Sequence, residues 1–93
     1  MRPQRVQLRR TRGWRMPANT RKVDRTTPWG NPFSLSEGRA TCVALFEDWV
    51  RNTAEGRALL ARARTELRAW NLACWCALEG PCHAEVWLRL VND

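Results

Sequence analysis

Asn71-Leu72-Ala73-Cys74-Trp75-Cys76 is the stretch that decides the fold. Asn71 turns the chain, and the five residues after it are apolar throughout, as in a strand buried on both faces. The residues before it read as helix, and a strand entered from a helix points to a β-α-β connection. Further on, Glu79-Gly80 forms a turn and Pro81 suits the first position of a helix. Val86, Trp87, Leu90 and Val91 then supply the apolar face of a short terminal helix.

Working back from Asn71, Leu59, Leu60, Ala63 and Leu67 mark a helical stripe, preceded by the cap spacing Asn52 to Glu55. An earlier stripe, Cys42, Leu45, Phe46, Trp49 and Val50, follows Ser34 and Glu37, which have capping-box spacing and predict a helix start at Ser34. Cys42 is expected in the core. Pro28-Trp29-Gly30-Asn31-Pro32-Phe33 is a rigid loop, since two prolines and a glycine exclude a helix interior. Two short strands are expected before it, at Arg5-Val6-Gln7-Leu8 and around Val23 between Thr20 and Thr26, with Gly13 and Pro17 breaking the pattern between them.

The predicted architecture is a small single α/β domain of order ββααβα, a short sheet packed by helices. It divides into a basic strand/loop segment (1–33), a helical pair (34–69) and a Cys-rich strand-loop-helix (70–93). At 93 residues there is room for one core only. With 44% hydrophobic and 27% charged residues, the composition is that of a globular chain. No stretch approaches the roughly 18 apolar residues that span a bilayer, and the Arg-rich N-terminus lacks the apolar run of a secretory signal. A cytoplasmic protein with no membrane partner is expected.

Charge is distributed unevenly. Met1 to Trp29 holds nine Arg or Lys against one acid, Asp24, whereas the rest is nearly neutral and the whole chain carries +7. Such a segment favours a nucleotide or nucleic acid as partner, through steering and counterion release. A solubilising arm is the alternative.

Three of the four cysteines, Cys74, Cys76 and Cys82, fall within nine residues beside the single histidine, His83. On a strand Cys74 and Cys76 share one face, with Trp75 on the other, packed behind the cysteines. Cys82, in the first turn of the terminal helix, meets unpaired N–H groups that stabilise a thiolate or a bound anion. Two functional readings fit. In one, the strand-loop-helix is a nucleotide or phosphate pocket with no metal cofactor, and Cys76, Cys82 and His83 are its catalytic residues. In the other, Cys74, Cys76, Cys82 and His83 ligate zinc. The ligand types suit a tetrahedral site, although adjacent Cys82 and His83 do not easily reach one metal. A third reading has the thiols filling the core and His83 capping a helix.

Trp49, Trp70 and Trp87 lie on or beside helical stripes and are expected in the core. Trp14 and Trp29 each adjoin glycine in the Arg-rich segment, where an indole can stack a base or, as the alternative, pin its loop to the domain. The ligand-binding set predicted is Arg12, Arg15 and Arg25 for phosphate, Trp14 or Trp29 for stacking, and Asn31 in the turn. Whether it is an enzyme stays open. Transfer chemistry at a glycosyl or phosphoryl centre is one expectation, and a zinc-stabilised nucleic-acid or protein interaction module without catalysis is the other. No serine triad, phosphate-binding glycine loop or paired-carboxylate motif is present.

The ordered set Arg5-Val6-Gln7-Leu8, Gly13-Trp14-Arg15-Met16-Pro17, Val23, Trp29-Gly30-Asn31-Pro32-Phe33, Cys74-Trp75-Cys76 and Pro81-Cys82-His83-Ala84 resembles the short bacterial and phage proteins classed as domain of unknown function 4326. The resemblance spans nearly the whole chain. It implies a compact intracellular domain in which the Gly-Asn-Pro-Phe turn and the Cys-His segment converge on one site, and it supplies no reaction.

Overall fold

A computed structural model describes residues 2–92 of the chain. The elements are β1 (Arg5–Gln7), β2 (Thr20–Lys22), α1 (Arg39–Asn52), α2 (Ala54–Glu66), β3 (Asn71–Cys74) and α3 (His83–Val91). This is the expected ββααβα order of a small α/β domain.

The sheet is parallel throughout and ordered β1-β3-β2. β3 takes the centre because Leu72 and Ala73 are fully buried and apolar, whereas β1 and β2 carry the charged residues that suit an edge. Leu72 lies opposite Arg5 on one side and Arg21 on the other. The ladder runs one residue past each edge strand, since Leu8 N donates to Cys74 O at 2.9 Å and Val23 N to Ala73 O at 2.8 Å. Both α1 and α2 lie in the crossover from β2 to β3, as a parallel connection requires.

The helices and sheet close over a core centred on Phe46, Leu67, Leu72, Val23 and Trp87. Trp87 meets Phe46 edge-on with centroids 5.3 Å apart and Trp29 edge-on at 5.9 Å. Its indole N–H donates to Trp29 O at 2.8 Å, so the deepest ring in the core has no unpaired polar atom. Cys42 is buried as expected. Leu45 departs from the predicted stripe and stands exposed.

Several boundaries differ from the sequence expectation. α1 begins at Arg39, not Ser34: the Ser34 hydroxyl accepts from Ser36 N at 3.1 Å, folding a local turn, and Gly38 at φ 96° separates that turn from the helix. The cap of α2 is Thr53, not Asn52, which ends α1. Thr53 Oγ1 accepts from Gly56 N at 2.9 Å and donates to Trp49 O at 2.7 Å, so one residue closes α1 and opens α2. β3 ends at Cys74, leaving Trp75 and Cys76 in a bend, and α3 starts at His83 with Cys82 as its cap. None of the helices among the described residues is long and apolar enough to cross a membrane.

Candidate functional site

A cleft of about 270 Å³ opens where β3 ends. Its walls are the Cys74–Cys76 bend, the start of α3 at Cys82 and His83, the turn carrying Asn31, and Arg39 and Cys42 of α1. The carboxyl end of a parallel strand is where ligands gather in α/β folds, because the chain diverges there and exposes the start of the next helix.

Each wall is fixed by identifiable bonds. The turn is held from within: Arg25 donates from Nη1 to Asn31 O at 2.6 Å and from Nη2 to Phe33 O at 2.8 Å. Asn31 Oδ1 accepts from Phe33 N at 2.8 Å, while its Nδ2 reaches Cys42 O at 3.2 Å and Cys42 Sγ at 3.1 Å. Gly30 is required at this point, since a Cβ there would lie 2.5 Å from Arg25 Cα. The opposite wall is held by Arg5 of β1, which donates to Ala77 O at 2.6 Å and Gly80 O at 2.8 Å and pairs with Glu85 at 2.8 Å.

The floor is the Cys/His cluster. Cys82 adopts extended backbone as the cap of α3, so its side chain and that of the first helical residue converge. Cys82 Sγ lies 3.7 Å from His83 Nδ1, and Cys74 Sγ lies 3.8 Å from Cys76 Sγ. His83 Nε2 donates to Val23 O at 2.5 Å, which leaves Nδ1 with its lone pair toward Cys82. The ligand atoms of Cys74, Cys82 and His83 all lie within 4.8 Å of one another, and all three residues are buried. Adjacency in sequence is therefore no barrier to joint action by Cys82 and His83.

Among the thiols the charge falls on Cys74. Hydrogen bonding from the Cys82 thiol outweighs burial and, with the Cys76 backbone N–H, brings Cys74 down to about 5. The same shared proton and burial push Cys82 up, so the thiolate expected at Cys82 falls on Cys74 instead, and burial foremost raises Cys76.

With this geometry in view, the family comparison is decisive: the model of the family described as Domain of unknown function (DUF4326) matches residues 6–93. The chain belongs to the DUF4326 family. Neither the curated proteins nor the solved structures contain a match.

In this DUF4326 domain the turn and the Cys-His segment line one cleft, as the resemblance implied. Cys74, Cys76, Cys82 and His83 come together there, and Arg25 and Asn31 border it. The guanidinium of Arg25 is occupied by two backbone carbonyls, and Asn31 is buried with both ends of its amide engaged, so the structure gives these two a framework role in the turn. Arg12, Trp14 and Arg15 lie on the β1–β2 connection and do not line the cleft.

Trp29 pins its loop to the domain, one of its two expected roles, whereas Trp75 departs from its expected place. Trp29 is only 6% exposed, packed on Trp87 with Arg62 5.0 Å from its ring, and cannot stack a ligand. Trp75, expected behind the strand, is 42% exposed at the cleft mouth, because β3 ends at Cys74, two residues before its expected end, and the chain bends. Its ring carries Arg10 at 5.0 Å, and its N–H donates to Asp24 Oδ2 at 2.9 Å. Asp24, Arg39 and Arg5 are site residues that sequence reasoning did not single out. Asp24 had one signal, as the lone acid in the basic segment.

Proposed function

We propose that the cleft binds a nucleotide, or a phosphate-bearing unit of a nucleic acid, with the Cys/His cluster at the reactive end. The observation that carries this reading is Trp75: an exposed indole held by a buried carboxylate at the mouth of a cleft, with Arg10 over its ring and Arg39 in the wall. A flat aromatic face beside guanidinium groups suits a base and its phosphate together. Trp75 takes the stacking role in place of Trp14 and Trp29, and Arg39 and Arg10 take the phosphate. Cys74 lines the floor with Cys76, Cys82 and His83, and its thiolate, in place of the Cys76 or Cys82 expected from sequence, is the nucleophile suited to transfer at a glycosyl or phosphoryl centre.

Thermal-shift and calorimetric titrations with nucleoside mono-, di- and triphosphates and short single strands test the reading. Saturable binding is expected, weakened by Trp75→Ala by about 5- to 150-fold, the equivalent of about 1–3 kcal/mol of stacking. No binding, or equal binding by Trp75→Ala and Arg39→Ala, sinks it. A second reading, a zinc-stabilised nucleic-acid or protein interaction module without catalysis, draws on the mutual approach of Cys74, Cys82 and His83. It differs in requiring the fold to depend on metal, which the nucleotide reading does not.

A further inference from the structure

The floor of the cleft has the chemistry and the spacing of a metal centre. A tetrahedral zinc ion with bonds of about 2.0–2.3 Å to nitrogen and sulfur sets its ligand atoms roughly 3.5–3.8 Å apart. Cys74 Sγ to Cys76 Sγ, at 3.8 Å, and Cys82 Sγ to His83 Nδ1, at 3.7 Å, are two edges of such a tetrahedron. Cys74, Cys82 and His83 draw together from different elements, with ligand atoms within 4.8 Å of one another, so a contraction of about an ångström closes the set around an ion.

The surroundings of His83 point the same way. Imidazoles that bind metal almost always donate their second N–H to a carbonyl or carboxylate, which fixes the tautomer and aims the free nitrogen. Here Nε2 donates to Val23 O, and Val23 is itself anchored through its N–H to Ala73 O of β3 at 2.8 Å. Phe46 packs edge-on against the ring at 5.5 Å, which restrains its rotation. The nitrogen left free, Nδ1, is buried, and its neighbour is the Cys82 thiol at 3.7 Å, longer than a strong hydrogen bond. Simple space-filling requires neither the fixed tautomer nor the gathering of three thiols and the only imidazole on one wall.

We propose that Cys74, Cys82 and His83 bind one zinc-class divalent cation at the base of the cleft, with Cys76 supplying the fourth ligand from the bend after β3. The proposal rests on the zinc reading above and gives it a ligand set; an ion held here would take up the floor side chains that the nucleotide reading uses for transfer, while leaving the mouth at Trp75 and Arg10 free. Arg39, in the adjoining wall, offsets the negative charge of a three-thiolate site.

The test is made on the wild-type chain without nucleotide. Purified protein is stripped with a chelator under reducing conditions, reloaded with zinc or cobalt(II), and followed by native mass spectrometry and absorption spectroscopy. One metal per chain is expected, with the thiolate-to-cobalt charge-transfer and intense ligand-field bands of a tetrahedral sulfur-rich site. Cys82→Ser and His83→Gln should each weaken cobalt binding more than about 100-fold, and Cys76→Ser less severely. If the variants fail to fold, the wild-type stoichiometry and spectrum still decide. No stoichiometric metal in the wild type, a spectrum without thiolate bands, or folded Cys82→Ser and His83→Gln variants that keep full affinity overturns the assignment.

Discussion

Trp75 and Asp24, fifty-one residues apart in sequence, are joined by a 2.9 Å hydrogen bond from the indole N–H to a carboxylate that is almost entirely buried. The other carboxylate oxygen accepts from the Thr26 hydroxyl at 2.6 Å, so both oxygens are used. Asp24→Ala leaves these donors without a partner and should cost about 1–3 kcal/mol, read by urea denaturation. Acrylamide quenching should show a more accessible Trp75. Unchanged stability and quenching would mean that the carboxylate does not orient the ring.

Arg5 should prove as important to the site as any residue lining it. Its side chain is only 8% exposed, and its guanidinium holds the 77–80 loop through two carbonyls as well as Glu85. Arg5→Met keeps the apolar stem and removes the fork, leaving two partly buried acceptors unpaired. A loss of about 2–3 kcal/mol is expected, with faster hydrogen exchange at Gly80 and Cys82. Arg5→Lys should restore little, because one ammonium cannot reproduce the planar two-armed geometry.

Those two residues also show where sequence reading stops. The ββααβα order was legible because it depends on local patterning: the apolar run at Leu72-Ala73 and the stripes through Phe46 and Leu60 carry their periods in the chain itself. The grouping of Cys74, Cys76, Cys82 and His83 was legible from their closeness in sequence. The Pro/Gly context of Trp29 leaves stacking and pinning both open, and the apolar run around Trp75 looks buried, whereas the outcome turns on Trp87 bonding to Trp29 O and on Asp24 capturing Trp75. The start of α1 was placed early because a serine hydroxyl can cap a helix or bond two residues ahead in a turn, and Ser34 does the second. Arg5 with Ala77, and Asp24 with Trp75, are pairings across most of the chain and leave no local mark.

Ala69 offers a stabilising substitution. It sits at φ 68°, in the left-handed region that a side chain resists, because the chain must turn sharply between α2 and β3. The turn is fixed by Asn19 Nδ2 donating to Ala69 O at 2.9 Å and Ala69 N donating to Asn92 Oδ1 at 3.0 Å. Ala69→Gly removes the steric penalty, and after the greater freedom gained by the unfolded chain the net gain should be about 0.5–1 kcal/mol. A melting temperature raised by a few degrees would bear this out. A lowered one would show that the bonds to Asn19 and Asn92 depend on the Ala side chain.

Glu47 makes part of the stability acid-sensitive. It joins α1 to α3 through Arg89 at 2.7 Å and pairs with Arg51 at 2.9 Å. Hydrogen bonding to Arg89 foremost, then the pair with Arg51, holds its carboxyl below the usual range against partial burial. A carboxyl with a lower pKa folded than unfolded contributes stability above its unfolded pKa, roughly 4.3, and loses it as pH falls through the folded value. Glu47→Gln should therefore melt lower than wild type at pH 7, and the two curves should converge as pH falls through the lowered folded value. The groups are partly exposed, so the gap at pH 7 should be a few degrees at most and shrink in high salt. A gap independent of pH would mean that Glu47 acts by packing and not by charge.

Gly56 sets helix propensity against close packing, and packing should win. It lies in the first turn of α2, where Ala is intrinsically better than Gly by about 1 kcal/mol. A Cβ at this position would stand 2.2 Å from Trp49 O and 2.6 Å from Val50 Cα, both backbone atoms at the end of α1. Neither can swing aside as a side chain would. Trp49 O also accepts from Thr53 N and the Thr53 hydroxyl, so moving it loosens the joint that closes one helix and opens the next. Gly56→Ala should cost about 3 kcal/mol or more, a fall of more than about 10 °C in a domain this size. Ala58→Gly, at an exposed position in the same helix, should cost only about 1 kcal/mol and serves as the control for propensity alone. Were Gly56→Ala to melt at or above the wild-type temperature, the close approach of α2 to the end of α1 would be wrong, and with it the one-residue joint at Thr53.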